Sequence, residues 1–268
     1  MNHPQNISND SLLDHLSRSE LDWQEKVVLA YLDEPPFASP GPDGQPSGCD
    51  VEVALTILKS IGVQQVETRL VTFADLLPGL VNGRWTMNTA MFITSERSRW
   101  VEFSHPVWAL ADGFIIKAGN PKGLTNYETL VVNYTAKLGV VKDTVQRQTA
   151  LNIGVPVERI VELATQNESI EALLTGQIDA FASTAIGNRV FVRRANNTRV
   201  AAIDLEANIT GEGTKPAFGA FSFAKSNGRL RQAFDTALKA YLGSVEHRLL
   251  MTGYGFTNAD IDLIVMEN

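Results

Sequence analysis

Two short stretches of this sequence carry side chains able to grip a small charged molecule. In FITSERSRWVEFSHP, residues 92–106, Arg97 follows an apolar run and two hydroxyl residues, Thr94 and Ser95. A planar guanidinium holds a carboxylate through two parallel charge-assisted hydrogen bonds, a geometry lysine lacks. Thr94 and Ser95 stand where a short helix would begin, so backbone N–H groups there can donate to the same anion. The stretch also reads as an ordinary solvated turn, with Arg97 paired to Glu96 or Glu102. In DEPPF, residues 33–37, Glu34 precedes Phe37 by three positions. A carboxylate beside an aromatic ring suits a delocalised or quaternary cation: the acid counters the charge and the ring face adds about 0.5–2 kcal/mol. The plain alternative for Phe37 is core packing.

Other chemistries find less support. His3, His15, His105 and His247 are scattered, with no HExxH pair, and there is no GxSxG elbow or P-loop. A single cysteine, Cys49, excludes an internal disulfide and a cysteine-based zinc cluster, and reads as a small residue packed beside a helix start. Neither a metal nor a cofactor is expected. The net charge of −7 over 268 residues argues against binding nucleic acid through neutralised phosphates. The densest basic cluster, Arg189 to Arg194, reads as a solvated helix face. No run approaches the roughly 20 apolar residues that span a bilayer. The first 24 residues are polar and lack the apolar core of a signal peptide, which leaves either a mature chain given a new Met1 or a protein that stays in the cytosol.

The elements that must position Glu34 and Arg97 alternate in type. KVVLAYL (26–32) is a β-branched strand, and Val51, Leu55, Leu58 and Ile61 share one face of a helix over 50–61 that Gly62 stops. Strands over 66–71 and 86–92 flank a short helix at 75–82, and a further strand spans 113–119. After a turn-rich link at 119–130 the alternation resumes. It gives a strand at 138–144 running into a helix at 145–153, a strand at 159–164, a helix capped by Asn167 and closed by Gly176, a strand at 178–184 and a helix at 186–195. Residues 206–216 read as a loop, 217–225 as a strand, and a long amphipathic helix around Phe234, Leu238 and Leu242 precedes a shorter one after Thr257. This alternation predicts an α/β fold with largely parallel sheets. Two sets joined by two crossings would leave a cleft between them, where small-molecule sites commonly lie.

GCDVEVALTILKSIGV, FADLLPGLVNGRW, FITSERSRWVEFSHPVW and GQIDAFAST resemble, in order and spacing, the family 3 extracellular solute-binding proteins, receptors of polar amino-acid ABC transporters. DEPPF, KAGNPKGLTNYETL, GAFSF and GYGFTNADI are most similar to the ectoine/hydroxyectoine-binding branch. The resemblance covers about residues 25–262. It implies a two-lobed periplasmic-binding-protein (Venus-flytrap) fold of type II with two hinge strands. Lobe one would be 1–116 plus 221–268, and lobe two 117–220. It implies a small zwitterionic ligand enclosed on closure, a membrane permease as partner, a monomer, and a periplasmic or cell-surface location.

By the same resemblance Arg97 binds the ligand carboxylate, while Glu34 and Phe37 contact its cationic ring. Phe92 matches a second aromatic position, and Phe73 a third for which core packing is the stronger reading. Thr144, in KDTVQ (142–146), resembles a second carboxylate clamp, with Val145 beside it and Lys142 solvated. Many members that bind α-amino acids carry an aspartate where this chain has Thr184, so a ring or blocked nitrogen fits better than a primary α-ammonium. Asn88 lies where it can reach the cleft. A receptor for an ordinary polar amino acid or an opine, and a dehydratase-like enzyme on the same fold, stay open as alternatives.

Overall fold

The computed structural model describes residues 22–41, 43–205 and 217–265. The polar N-terminal segment up to residue 21, with His3 and His15, and the loop expected over 206–216 lie outside the described residues. The strands are β1 (Lys26–Tyr31), β2 (Ser39–Pro40), β3 (Pro46–Ser47), β4 (Gln65–Leu70), β5 (Met87–Phe92), β6 (Val101–Phe103) and β7 (Trp108–Leu110). They continue with β8 (Asp112–Lys117), β9 (Leu138–Val141), β10 (Ile160–Leu163), β11 (Ala180–Thr184), β12 (Val200–Asp204) and β13 (Ala217–Ala224). One sheet runs β4-β1-β5-β13-β6, with β7 also on β13, and the other runs β10-β9-β11-β8-β12.

Each sheet is parallel where a helix links consecutive strands, as in β1 with β4 and β5, and β9 with β10 and β11. A parallel return needs such a crossover. The strands that carry the chain between sheets pair antiparallel instead: β8 with β11 and β12, and β13 with β5, β6 and β7. The second sheet is buried on both faces. Phe114 and Ala182 face one apolar cluster, and their neighbours Ile115 and Phe181 face another, as the two-residue period of a strand requires. In the first, Leu29, Ile57, Phe221 and Phe234 share one core.

The chain changes sheet between Leu110 and Asp112, and it has returned by Ala217. The boundary expected after residue 116 therefore falls inside β8, and that after 220 inside β13. The turn-rich stretch after 118 marks a strand end and not the change of sheet. Within that stretch the helix Tyr127–Val132 forms, because Asn126 and Thr129 cap each other's backbone N–H groups. Asn167 does not cap the helix Ser169–Thr175. It sits in a 3-10 turn over Gln166–Glu168, and its Nδ2 reaches across to Asp33 Oδ2 at 3.3 Å.

Asn88 does not face the cleft. It is fully buried on the opposite side of β5, where Oδ1 accepts from Trp85 Nε1 at 2.6 Å and Nδ2 donates to Ser222 Oγ at 3.0 Å. Asn88→Ala strands both partners in a dry interior, so the urea unfolding midpoint falls by the equivalent of about 1–3 kcal/mol. Ligand affinity measured on the folded variant stays at the wild-type value.

Candidate functional site

The candidate residues follow the carboxyl ends of the parallel strands. Glu34 follows β1, Phe73 follows β4, Phe92 ends β5, Thr144 follows β9, Gln166 follows β10 and Thr184 ends β11. Both sheets point these ends at one cleft of about 650 Å³, lined by all six and by Phe37, Asp50, Arg97, Trp108, Asn167 and Ser183. In open α/β sheets ligands bind outside the carboxyl ends of the strands. Among the described residues, no helix is long and apolar enough to cross a membrane, and no group of His, Cys, Asp and Glu is placed to hold a metal ion.

Arg97 is 7% exposed at the head of a three-residue 3-10 turn. Its Nη1 donates to Phe92 O at 2.8 Å, and its Nη2 donates across the cleft to Asp143 O at 3.2 Å. Its guanidinium carbon stands 5.2 Å from the centre of the Phe73 ring. Among the described residues no carboxylate pairs with it, and burial lowers its pKa to about 10. The solvated-turn reading fails here, because Glu102 pairs with Arg231 at 2.8 Å instead. A guanidinium has five N–H donors, and only two are used, both on neutral carbonyls. What remains is a desolvated cation with donors to spare and, among the described residues, no carboxylate in direct contact, only the more distant charges of Glu96 and Asp143.

Thr94 stands apart from the lining residues. Its Oγ1 accepts from Arg97 N at 3.1 Å, so it fixes the turn that carries Arg97. Thr144 lines the cleft at the N-cap of the helix Val145–Ile153, its hydroxyl donating to Val141 O at 2.7 Å. Thr184 caps the helix Ala185–Ala195 through Gly187 N at 3.2 Å and is 4% exposed. Lys142 is exposed.

The opposite charge lies at the other end. Desolvation raises the Glu34 carboxyl to about 7, opposed only by Ser183 Oγ at 3.5 Å from the far wall. Asp50, not foreseen from the sequence, is a second acid of the same kind: buried, and raised by desolvation to about 7. Its Oδ1 accepts from Trp108 Nε1 at 3.2 Å and its Oδ2 from Ala90 N at 3.1 Å. Trp108, also not foreseen, packs against both expected rings, 5.5 Å from Phe37 and tilted to it, and 5.1 Å from Phe92, edge-on. The available signal was thin. Asp50 sits between Cys49 and Val51, both buried, at the start of a helix, and of that first turn it is the residue that lines the cleft.

The profile of the bacterial extracellular solute-binding proteins, family 3, matches residues 27–254. The probable amino-acid ABC transporter periplasmic-binding protein y4tE of Sinorhizobium fredii is 29% identical over 241 residues, 89% of this chain and 79% of that protein. The crystal structure of EhuB in complex with hydroxyectoine superposes with a TM-score of 0.80 at 29% identity, covering 96% of each chain. ArtJ, the arginine-, lysine-, histidine-binding protein of Geobacillus stearothermophilus, has a TM-score of 0.78 at 21% identity, covering 90% of this chain and 99% of that one, a likeness of fold.

The two acids give the fold a definite pH response. Each holds its proton more tightly folded than unfolded, from ordinary values of 4.5 for Glu34 and 3.8 for Asp50 to about 7. That stabilisation is complete below the unfolded values and is lost as pH rises through the folded ones. Glu34→Gln cannot ionise. Its urea midpoint therefore gains on that of the wild type between about pH 5 and pH 8, and parallel profiles would refute the assignment.

Proposed function

This chain belongs to the bacterial extracellular solute-binding proteins, family 3, and from that premise we propose that its cleft encloses a small zwitterion with a carboxylate at one end and a ring-borne or blocked cationic nitrogen at the other. Ectoine, hydroxyectoine and betaine-like solutes have this shape. The observation that carries the reading is the buried Arg97 without a carboxylate partner among the described residues, set in the same cleft as two desolvated acids and the rings of Phe37, Phe73, Phe92 and Trp108. The likeness to EhuB in complex with hydroxyectoine supports it, as does Thr184 in place of an acid on the far wall.

Arg97 takes the carboxylate first, with Phe73 against the guanidinium. Glu34 faces the cation, and Phe37, Trp108 and Phe92 supply ring surface. Thr144 and the start of its helix add donors when the second sheet swings in, hinged where the chain changes sheet. Water leaves on closure, and each charge contact strengthens as the local dielectric falls. The closed monomer then delivers its ligand to an ABC-transporter permease at the membrane, from the periplasm or the cell surface.

One observation favours a second reading. Asp50 beside Glu34 puts two carboxyls in the cleft floor, which would suit the side-chain cation of a basic amino acid with its own α-carboxylate on Arg97. Calorimetry with hydroxyectoine, proline betaine and L-arginine separates the two. The first reading expects the compatible solutes to bind and L-arginine to be weak, and the reverse order overturns it. Arg97→Ala leaves the ligand carboxylate desolvated and unpaired, and costs about 2–5 kcal/mol of binding with any ligand that carries one.

A further inference from the structure

The turn between the helices Val245–Gly253 and Asn258–Val265 sends two side chains to the back of the cleft wall. Neither Tyr254 nor Phe256 is among the residues lining the cleft, yet both converge on one that is, Phe37. Phe256, 4% exposed, meets the Phe37 ring edge-on, with 6.4 Å between centres and 75° between planes. Tyr254 ties the same turn to the backbone that carries that ring. Its hydroxyl accepts from Gly48 N at 3.1 Å and donates to Glu52. Gly48 precedes the helix Cys49–Ser60, whose first two N–H groups hold the Phe37 loop: Cys49 N donates to Pro36 O and Asp50 N to Phe37 O, each at 3.0 Å. The approach is close enough to require glycine. A Cβ on Gly48 would stand 2.3 Å from Phe37 O, and its φ of 134° strains any L side chain. The helix after the turn packs on β7, the strand that begins with Trp108, the other ring against Phe37.

We propose that Phe256 is a positioning residue for ligand binding: it fixes the plane in which Phe37 meets the ligand and sets affinity through that ring without touching the ligand itself. This rests on the reading above in one respect, that Phe37 contacts the bound molecule. The plane matters because an aromatic ring is negative over its face and positive at its edge. A cation is attracted to the face, and a ring turned edge-on opposes it. Trp108 alone, tilted against one part of the Phe37 ring, leaves its rotation open; the edge-on contact with Phe256 supplies a second constraint. A binding group held by packing around it keeps its productive geometry, and Tyr254 anchors the turn from which Phe256 does so.

The test is a double-mutant cycle by calorimetry, run with whichever of hydroxyectoine, proline betaine and L-arginine wild type binds most tightly. Phe37→Leu weakens that ligand roughly 3- to 30-fold, and Phe256→Leu roughly 3- to 10-fold. Added to Phe37→Leu, the Phe256→Leu change costs less than about a further twofold, because the ring through which it acts is gone. A merely structural role gives a different pattern: loss of folded protein acts alike in both backgrounds. Should Phe256→Leu fail to fold, Tyr254→Phe takes its place in the cycle, with the same pattern expected. Equal fold-changes in the two backgrounds, or no change in wild type, overturn the proposal and leave the zwitterion reading standing. An unchanged affinity in Phe37→Leu overturns both the proposal and the place of Phe37 in that reading. Wild type that binds only L-arginine overturns the compatible-solute reading, and the cycle with L-arginine still decides on Phe256. If none of the three binds, both fall.

Discussion

Charge taken out of water without a protein counter-charge is the constraint on which this cleft is built. Arg97 is nearly sealed from solvent, yet its partners are two neutral carbonyls and a ring face. Glu34 and Asp50 are desolvated, and among the described residues no cation stands beside them. A buried ion with no partner is destabilising by several kcal/mol, and it is tolerated in a folded protein when something else supplies the partner. A molecule with its own anion and cation at matching ends relieves both defects at once. A neutral molecule relieves neither, and a simple anion or cation relieves only one.

The architecture explains how such defects are held in place. Parallel strands end at a common edge, and each hands the chain to a helix start or a tight turn there. One residue per strand is thereby aimed at the cleft with its backbone fixed. The aromatic wall depends on a different kind of support. Trp108 lies flat against the backbone of β13 at Gly219, where a Cβ would stand 2.0 Å from its ring. Its N–H is tied to Asp50. The same acid also accepts from Ala90 on β5, so one buried carboxylate ties together a helix start, a central strand and the ring between Phe37 and Phe92. Asp50 thus contributes structure as well as field.

How much of this was legible in the sequence followed the range of the interactions. Glu34 with Phe37, and Arg97 after its strand, declare themselves because the residues that explain them lie within a few positions. The alternation of strands and helices is legible for the same reason. Asp50 hides because an acid in the first turn of a helix is what the helix dipole favours anyway. Trp108 hides because its partners lie 58 and 71 positions earlier, and 16 earlier, at Asp50, Phe37 and Phe92. Asn88 misleads through register. Counting by twos from Phe92 puts it on the face of Phe92, but the pairing of β5 with β13 shifts between Ala220 and Ser222 and breaks that count.

Closure sets the last condition. A ligand shifts the balance between open and closed forms only by binding one of them better. Among the described residues the side-chain hydrogen bonds across the cleft are few: Arg97 to Asp143 O, Asn167 to Asp33, and the long reach of Ser183 to Glu34. Each pairs a charge with a neutral group, and none is an ion pair. Two of the three engage Arg97 and Glu34, the residues proposed to hold the ends of the ligand, so on that reading closing and gripping use the same side chains. Arg97 in particular donates to both walls, through Phe92 O on its own side and Asp143 O on the other. An anion seated on its remaining donors would stiffen that bridge, whereas in its absence the bridge rests on one neutral hydrogen-bond acceptor and a desolvated cation. The free energy of closing is therefore tied to the charge of Arg97, which no carboxylate pairs among the described residues.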